Sequence, residues 1–275
     1  MDSRINTSVS LALQEDSGFA PFAAADFAKG LEWAEKLAFD GVELIINRPD
    51  LVDAGRLAKE VEAHHLKVST LATGQMVGDG LMFCSDRAEV RHAAVDRILK
   101  HIDLSVQLGL PNVTVGLVRG KGDSETEAHL RQRGYIAECL KTCVEYAGKN
   151  KVRINLEPIN RYETCHLNSV AETASLIEEL GAAPVAGILY DTFHSNIEDA
   201  DMLQTIERFG KNFSHVHFAD SNRMVPGNGH INFSAVVSRL KQMDYRGFVS
   251  LECLNVPNAE FVIKHAAAVN SFVRV

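Results

Sequence analysis

Apolar and polar positions alternate along the chain in two rhythms. Short β-branched runs occupy residues 5–13, 41–46, 67–72, 112–118, 153–159, 185–193, 213–219 and 248–254. Between and after them lie longer amphipathic stretches over 26–39, 54–65, 89–108, 128–147, 170–180, 202–209, 234–243 and 259–273. Val90, Ala94, Ile98 and Ile102 show the helical spacing in the third stretch, and Ala93 and Val95 broaden that face. The 275 residues thus divide into strand–helix units of about 34 residues, which suits a βα repeat. Strands that read as continuous apolar runs belong to a parallel sheet covered on both faces. Eight of them predict an α/β fold, a single (β/α)8 TIM barrel spanning 1–275, rather than an open doubly wound sheet. The open alternative also lacks its phosphate turn, because no G-x-G-x-x-G follows the first run.

A barrel places its chemistry at the C-terminal ends of the strands. There the fifth run reads Leu156-Glu157-Pro158, the sixth Tyr190-Asp191-Thr192, the seventh His215-Val216-His217 and the eighth Leu251-Glu252-Cys253. Four consecutive strands bring Glu157, Asp191, His217 and Glu252 to one rim. Converging carboxylates repel unless a cation compensates them. Three carboxylates and one imidazole form a hard, oxygen-rich donor set suited to Mn²⁺, Mg²⁺ or Co²⁺ rather than to structural zinc. His217 lies nearer the rim than His215 and is taken as the ligand, leaving His215 a supporting role. Glu163, His194 and Arg223 follow the rim residues and form a second polar ring, Arg223 within a glycine-containing loop. Glu43, in GVEL of the second strand, is expected at the barrel mouth among the substrate-binding groups.

Composition narrows the classes. A net charge of −8 argues against a chain that tracks nucleic acid. No run is long and apolar enough to span a membrane. The first residues carry Asp2 and no signal-like apolar core, so a cytoplasmic location is expected. The five cysteines are scattered, with no C-x-x-C, and read as reduced thiols.

The segments LEPINRYE, YDTFHSNIE, HVHFADSNR, PGNGHINF and SLECL resemble the xylose-isomerase-like barrel superfamily of sugar isomerases and epimerases, and most of all its D-tagatose/D-psicose (ketose) 3-epimerase group. The resemblance implies that Glu157, Asp191, His217 and Glu252 bind a divalent metal, usually Mn²⁺ or Co²⁺. It further implies that Glu157 and Glu252 are the catalytic acid–base pair, and that Glu163, His194 and Arg223 hold substrate. A homo-oligomer is expected on the same ground. Phe218-Ala219-Asp220-Ser221 departs from the group's pattern. The implied reaction removes a proton beside a carbonyl, passes through a metal-stabilised enediolate, and returns the proton on the opposite face. The same apparatus serves aldose–ketose or hydroxypyruvate-type isomerisation, and an inosose-type dehydratase shares the metal shell. An apurinic endonuclease is disfavoured because the second and third strands end without histidines. A non-catalytic sugar-binding barrel is disfavoured by the carboxylate pair. Asn255-Val256-Pro257-Asn258 after the eighth strand makes a poor phosphate cradle, which favours an unphosphorylated sugar.

Overall fold

The computed structural model describes residues 4–110 and 112–274. Eight strands form a closed parallel barrel in sequence order: β1 (Asn6–Ala12), β2 (Gly41–Ile45), β3 (Lys67–Ala72), β4 (Asn112–Val115), β5 (Arg153–Leu156), β6 (Ala186–Asp191), β7 (Phe213–Phe218) and β8 (Phe248–Leu251). β1 pairs with β8 and closes the ring. The covering helices are α1 (Phe27–Lys36), α2 (Ala54–Ala63), α3 (Ala88–Gln107), α4 (Thr126–Lys149), α5 (Val170–Glu179), α6 (Thr192–Glu198), α7 (Met202–Phe209), α8 (Phe233–Gln242), α9 (Ala259–His265) and α10 (Ala268–Val273). The (β/α)8 expectation therefore holds, and no described helix is long and apolar enough to cross a membrane.

Local chemistry sets the boundaries. Ser169 and Glu172 form a reciprocal capping box at the start of α5. Asp53, Asp201, Asn232 and Asn258 accept backbone N–H bonds at the starts of α2, α7, α8 and α9. The structure departs from the sequence reading at the sixth unit. The run taken as 185–193 ends as a strand at Asp191, whose side chain caps α6, a helix not foreseen. The last stretch, read as one helix, divides into α9 and α10.

The strands are two-sided in an unexpected sense. Their outward side chains, among them Val9, Leu11, Val42, Leu44, Ile154 and Val216, join the helices in one buried apolar cluster. Contact there is close: a Cβ on Gly30 of α1 would come within 2.9 Å of Leu11. The inward set is polar and equally buried: Ser8, Ser10, Glu43, Thr70, Thr114, Asn155, His215, His217 and Ser250. Most of these side chains bond one another across the lumen, Ser10 Oγ being without a partner. Thr70 meets Thr114 at 3.1 Å, Asn155 donates to Thr70 at 3.3 Å, and His215 lies 3.1 Å from Ser250 Oγ. Barrel interiors are usually filled by branched apolar residues. Here the packed apolar core lies between sheet and helices, and the lumen is a hydrogen-bonded floor for the rim above it.

Candidate metal centre and sugar-binding mouth

Glu157, Asp191, His217 and Glu252 converge at the C-terminal mouth. Each offers one ligand atom, and these atoms lie within 4.8 Å of one another. His217 Nδ1 stands 3.5 Å from Glu157 Oε1, 3.7 Å from Asp191 Oδ2 and 3.4 Å from Glu252 Oε2. His217 Nδ1 and Asp191 Oδ2 are buried and have no hydrogen-bond partner. A buried polar atom without a partner is costly. Two such atoms facing each other among carboxylates form a donor set that fits a hard divalent metal.

Each ligand is aimed by its neighbours. Asp191 Oδ1 accepts from Phe193 N at 2.7 Å and His194 N at 3.2 Å, which frees Oδ2 for the cluster. Glu157 follows β5, its N–H bonded to Val115 O at 3.2 Å. Its carbonyl accepts from the buried Arg119, which also donates to the carbonyls of Gly116, His166 and Leu167. Gly116 leaves room for the carboxylate, because a Cβ there would lie 2.2 Å from Glu157 Oε2. Sequence reading missed Gly116 and took Arg119 only as a candidate charge for a phosphate; the Gly116–Gly120 turn after β4 is the signal that marks them.

Glu43 is the correction. It is not at the mouth but wholly buried in the lumen beneath His217. Its Oε2 lies 3.0 Å from His217 Nε2 and 3.0 Å from His215 Nε2. It sits at the middle of β2 rather than at its end, so the pleat points it inward one layer below the rim. Burial alone would raise its pKa, but His217 and His215 outweigh that and hold the carboxyl well below the usual carboxylate range. An anionic Glu43 accepts the Nε2–H bond of His217, which turns Nδ1 toward the cluster. Carboxylate–histidine–metal triads use this arrangement.

The second ring assembles as well. Arg223 Nη2 donates to Glu252 Oε2 at 3.1 Å, its Nη1 lies 2.9 Å from His194 Nε2, and Glu163 Oε1 is 3.8 Å from Nη1. Its guanidinium lies over the rings of Phe19 and Phe193, 4.9 and 4.6 Å from their centroids. Arg223 has φ +61°, a left-handed backbone unusual for a side chain of this size. Asp220 organises that loop, accepting from Ser221, Gly227 and Ile231 N–H groups. The departure Phe218-Ala219-Asp220-Ser221 thus builds a loop anchor.

Charge is partitioned among these groups. Burial pushes the Glu157 carboxyl up to about 7; His217 pulls against it, and Glu252 and Asp191 reinforce it. Burial also works against Asp191, but His194, Arg223 and His217 outweigh it and keep the carboxyl low. Burial carries His194 down to about 3, against the pull of Asp191, so it is a neutral imidazole at ordinary pH. His217 is raised well above its usual value because the surrounding carboxylates outweigh its burial.

A cavity of about 280 Å³ opens beside Glu157, His217 and Glu252, walled on the other side by Asp16, Phe19 and Gln75. The turns after β1 and β3 that supply this wall carried no motif in the sequence. The cavity has the form of small-molecule sites, concave and with few convergent polar groups.

The xylose isomerase-like TIM barrel family model matches residues 31–270. The D-psicose 3-epimerase of Enterocloster bolteae is 35% identical over 239 residues, covering 83% of this chain and 77% of that protein. The L-ribulose 3-epimerase of Mesorhizobium japonicum is 31% identical over 234 residues, covering 85% and 77%. A solved structure of L-ribulose 3-epimerase superposes with a TM-score of 0.83 at 25% identity, over 98% of this chain and 95% of that one. This chain therefore belongs to the xylose isomerase-like TIM-barrel family, and the two relatives above are isomerase-class enzymes, ketose 3-epimerases.

Proposed function

We propose that the chain is a divalent-metal-dependent ketose 3-epimerase acting on an unphosphorylated sugar, with Mn²⁺ as the metal. The observation that carries this reading is the convergence of two glutamates, an aspartate and a histidine around two buried atoms without partners, at the mouth of a small cavity. Glu157, Asp191, His217 and Glu252 would hold the ion. When bound, it supplies Lewis-acid stabilisation for negative charge that builds on the sugar oxygens as the carbon-bound proton leaves.

The chain's own groups do the rest. Glu157 and Glu252 end non-adjacent strands, β5 and β8, so their carboxylates flank a substrate lying between them. One takes the proton from one face of the carbon, and the other returns a proton to the opposite face, inverting the centre. The roles exchange with direction. Arg223, held by Glu252 and stacked between two phenyl rings, presents N–H donors toward substrate oxygens. Neutral His194 and Glu163 complete the set of polar partners. The walls contributed by Phe19 and Leu117 exclude water from the reacting carbon.

Turnover of free ketoses with Mn²⁺ in deuterated water tests the assignment. Solvent deuterium should appear at C3 of a C3-inverted product. Exchange confined to C1 or C2 would assign isomerisation instead, and loss of water would assign a dehydratase.

The electrostatics also set a pH dependence for metal binding. Without metal, Glu157 holds its proton up to about pH 7 and His217 is protonated above its usual range. Metal can bind only after these protons leave. Mn²⁺ affinity should therefore rise from about pH 6 to about pH 8, by up to about tenfold per unit for each proton released. Titration calorimetry in buffers of different ionisation enthalpy reads both the slope and the protons released. A pH-independent affinity without proton release would contradict the charge distribution described above.

A further inference from the structure

The N-terminal end of the barrel, opposite the metal ligands, encloses a second cavity of about 730 Å³. Lys67 and Arg153 are the first residues of β3 and β5, Lys211 stands just ahead of β7, and all three line it. None of the three pairs with a carboxylate among the described residues. Of the two acids in the wall, Asp244 is engaged by Arg246, which leaves Glu62 to count against the three cations. The cavity therefore carries a local excess of positive charge in a protein whose net charge is −8.

Arg153 is the half-buried member of the three. Its Nε is buried without a partner, and its Nη2 makes one long contact, 3.3 Å, to Ala186 O. Burial pulls its pKa down and no carboxylate offsets it. Two fully buried arginines elsewhere have charge or carbonyl partners: Arg119 has four backbone carbonyls, and Arg223, whose Nε is also buried without a partner, has Asp191 and Glu252. Room is kept for the Arg153 side chain, because a Cβ on Gly187 would stand 2.9 Å from its Nε. Ser214 and Asn112 add neutral polar groups to the wall, and Asn112 Oδ1 is itself buried without a partner.

We propose that this cavity binds a phosphate-bearing small molecule, its dianionic phosphate held by Arg153 with Lys67 and Lys211. A dianion matches an excess of two positive charges, and a guanidinium donates charge-assisted hydrogen bonds to phosphate oxygens. The site is separate from the catalytic mouth and does not depend on which sugar is turned over there.

Calorimetric titration of the metal-loaded protein with inorganic phosphate, and separately with fructose 6-phosphate, tests this. Both probes should bind the wild type. Arg153→Met should weaken binding by about tenfold or more, and Lys211→Met, an exposed change that leaves packing intact, should weaken it several-fold. Arg223→Gln, at the other end of the barrel, should leave it unchanged. Tighter binding of the sugar phosphate identifies an organic phosphate as the ligand; equal affinities identify phosphate itself. The proposal is overturned if neither probe binds the wild type, or if Arg223→Gln abolishes binding while Arg153→Met and Lys211→Met retain it.

Discussion

A Glu252→Gln variant is expected to keep its metal and lose about 10²–10⁴-fold in kcat, the range that a positioned general acid or base contributes. Glu157→Gln should behave the same way. The amide retains an oxygen for the ion but cannot accept a proton at the pH of turnover. Arg223 donates to Glu252 Oε2, and a Gln at 252 can still accept that bond through its amide oxygen, so the binding ring survives. Metal content by elemental analysis, together with kcat and KM, separates the outcomes. A fall in kcat with metal retained fits proton transfer, whereas loss of metal from either variant would make that glutamate chiefly a ligand. Single-turnover exchange sharpens this further. If the two glutamates serve opposite faces, each variant should still exchange substrate hydrogen with solvent from the one substrate epimer whose proton the remaining glutamate removes. Full turnover in both variants would exclude the pair as the acid–base apparatus.

The second large effect is expected where no substrate reaches. Glu43→Ala should cost about 3–5 kcal/mol of stability, because it strips the shared carboxylate from two buried imidazoles. Glu43→Gln keeps the shape and one acceptor. It should recover most of that stability, yet bind Mn²⁺ about 10–100-fold more weakly, the usual cost of losing a carboxylate behind a ligating histidine. Without the anion, His217 is less basic toward metal and its tautomer is no longer fixed. Denaturant unfolding of the metal-free protein and calorimetric Mn²⁺ titration measure the two quantities independently. Unchanged metal affinity in Glu43→Gln would reduce Glu43 to a packing element.

How far the sequence revealed this arrangement depends on where each residue sits. Glu157, Asp191, His217 and Glu252 were legible because each closes an apolar run, and a charge at such a boundary has few structural uses. Eight alternating runs were enough for the closed barrel. Glu43 was misread because a lone acid inside a strand does not reveal which layer of the lumen it occupies; the register Ser10↔Glu43↔Thr70 decides that. The polar lumen escaped for a related reason. Ser, Thr and Asn scattered among Val and Leu look like a weakened apolar run until the pleat sorts them onto opposite faces. α6 was hidden because Asp191 is both the end of a strand and the cap of a helix, and Thr192-Phe193 continue the β-like pattern. Arg119 acts through backbone carbonyls, and such contacts leave no trace in residue spacing.

A lumen filled with hydrogen bonds leaves the apolar core as a ring with no centre. Each strand buries its greasy side against helices close to it in sequence, and every strand except at the β1–β8 seam pairs with its immediate neighbour. Contacts of short sequence separation form quickly. The chain can therefore assemble by accretion, one βα unit docking on the last, with the seam between its two ends closing late. Until that seam closes, Glu157, Asp191, His217 and Glu252, spread over β5 to β8, gather on a half-barrel before the cavity wall from the turns after β1 and β3 is in place.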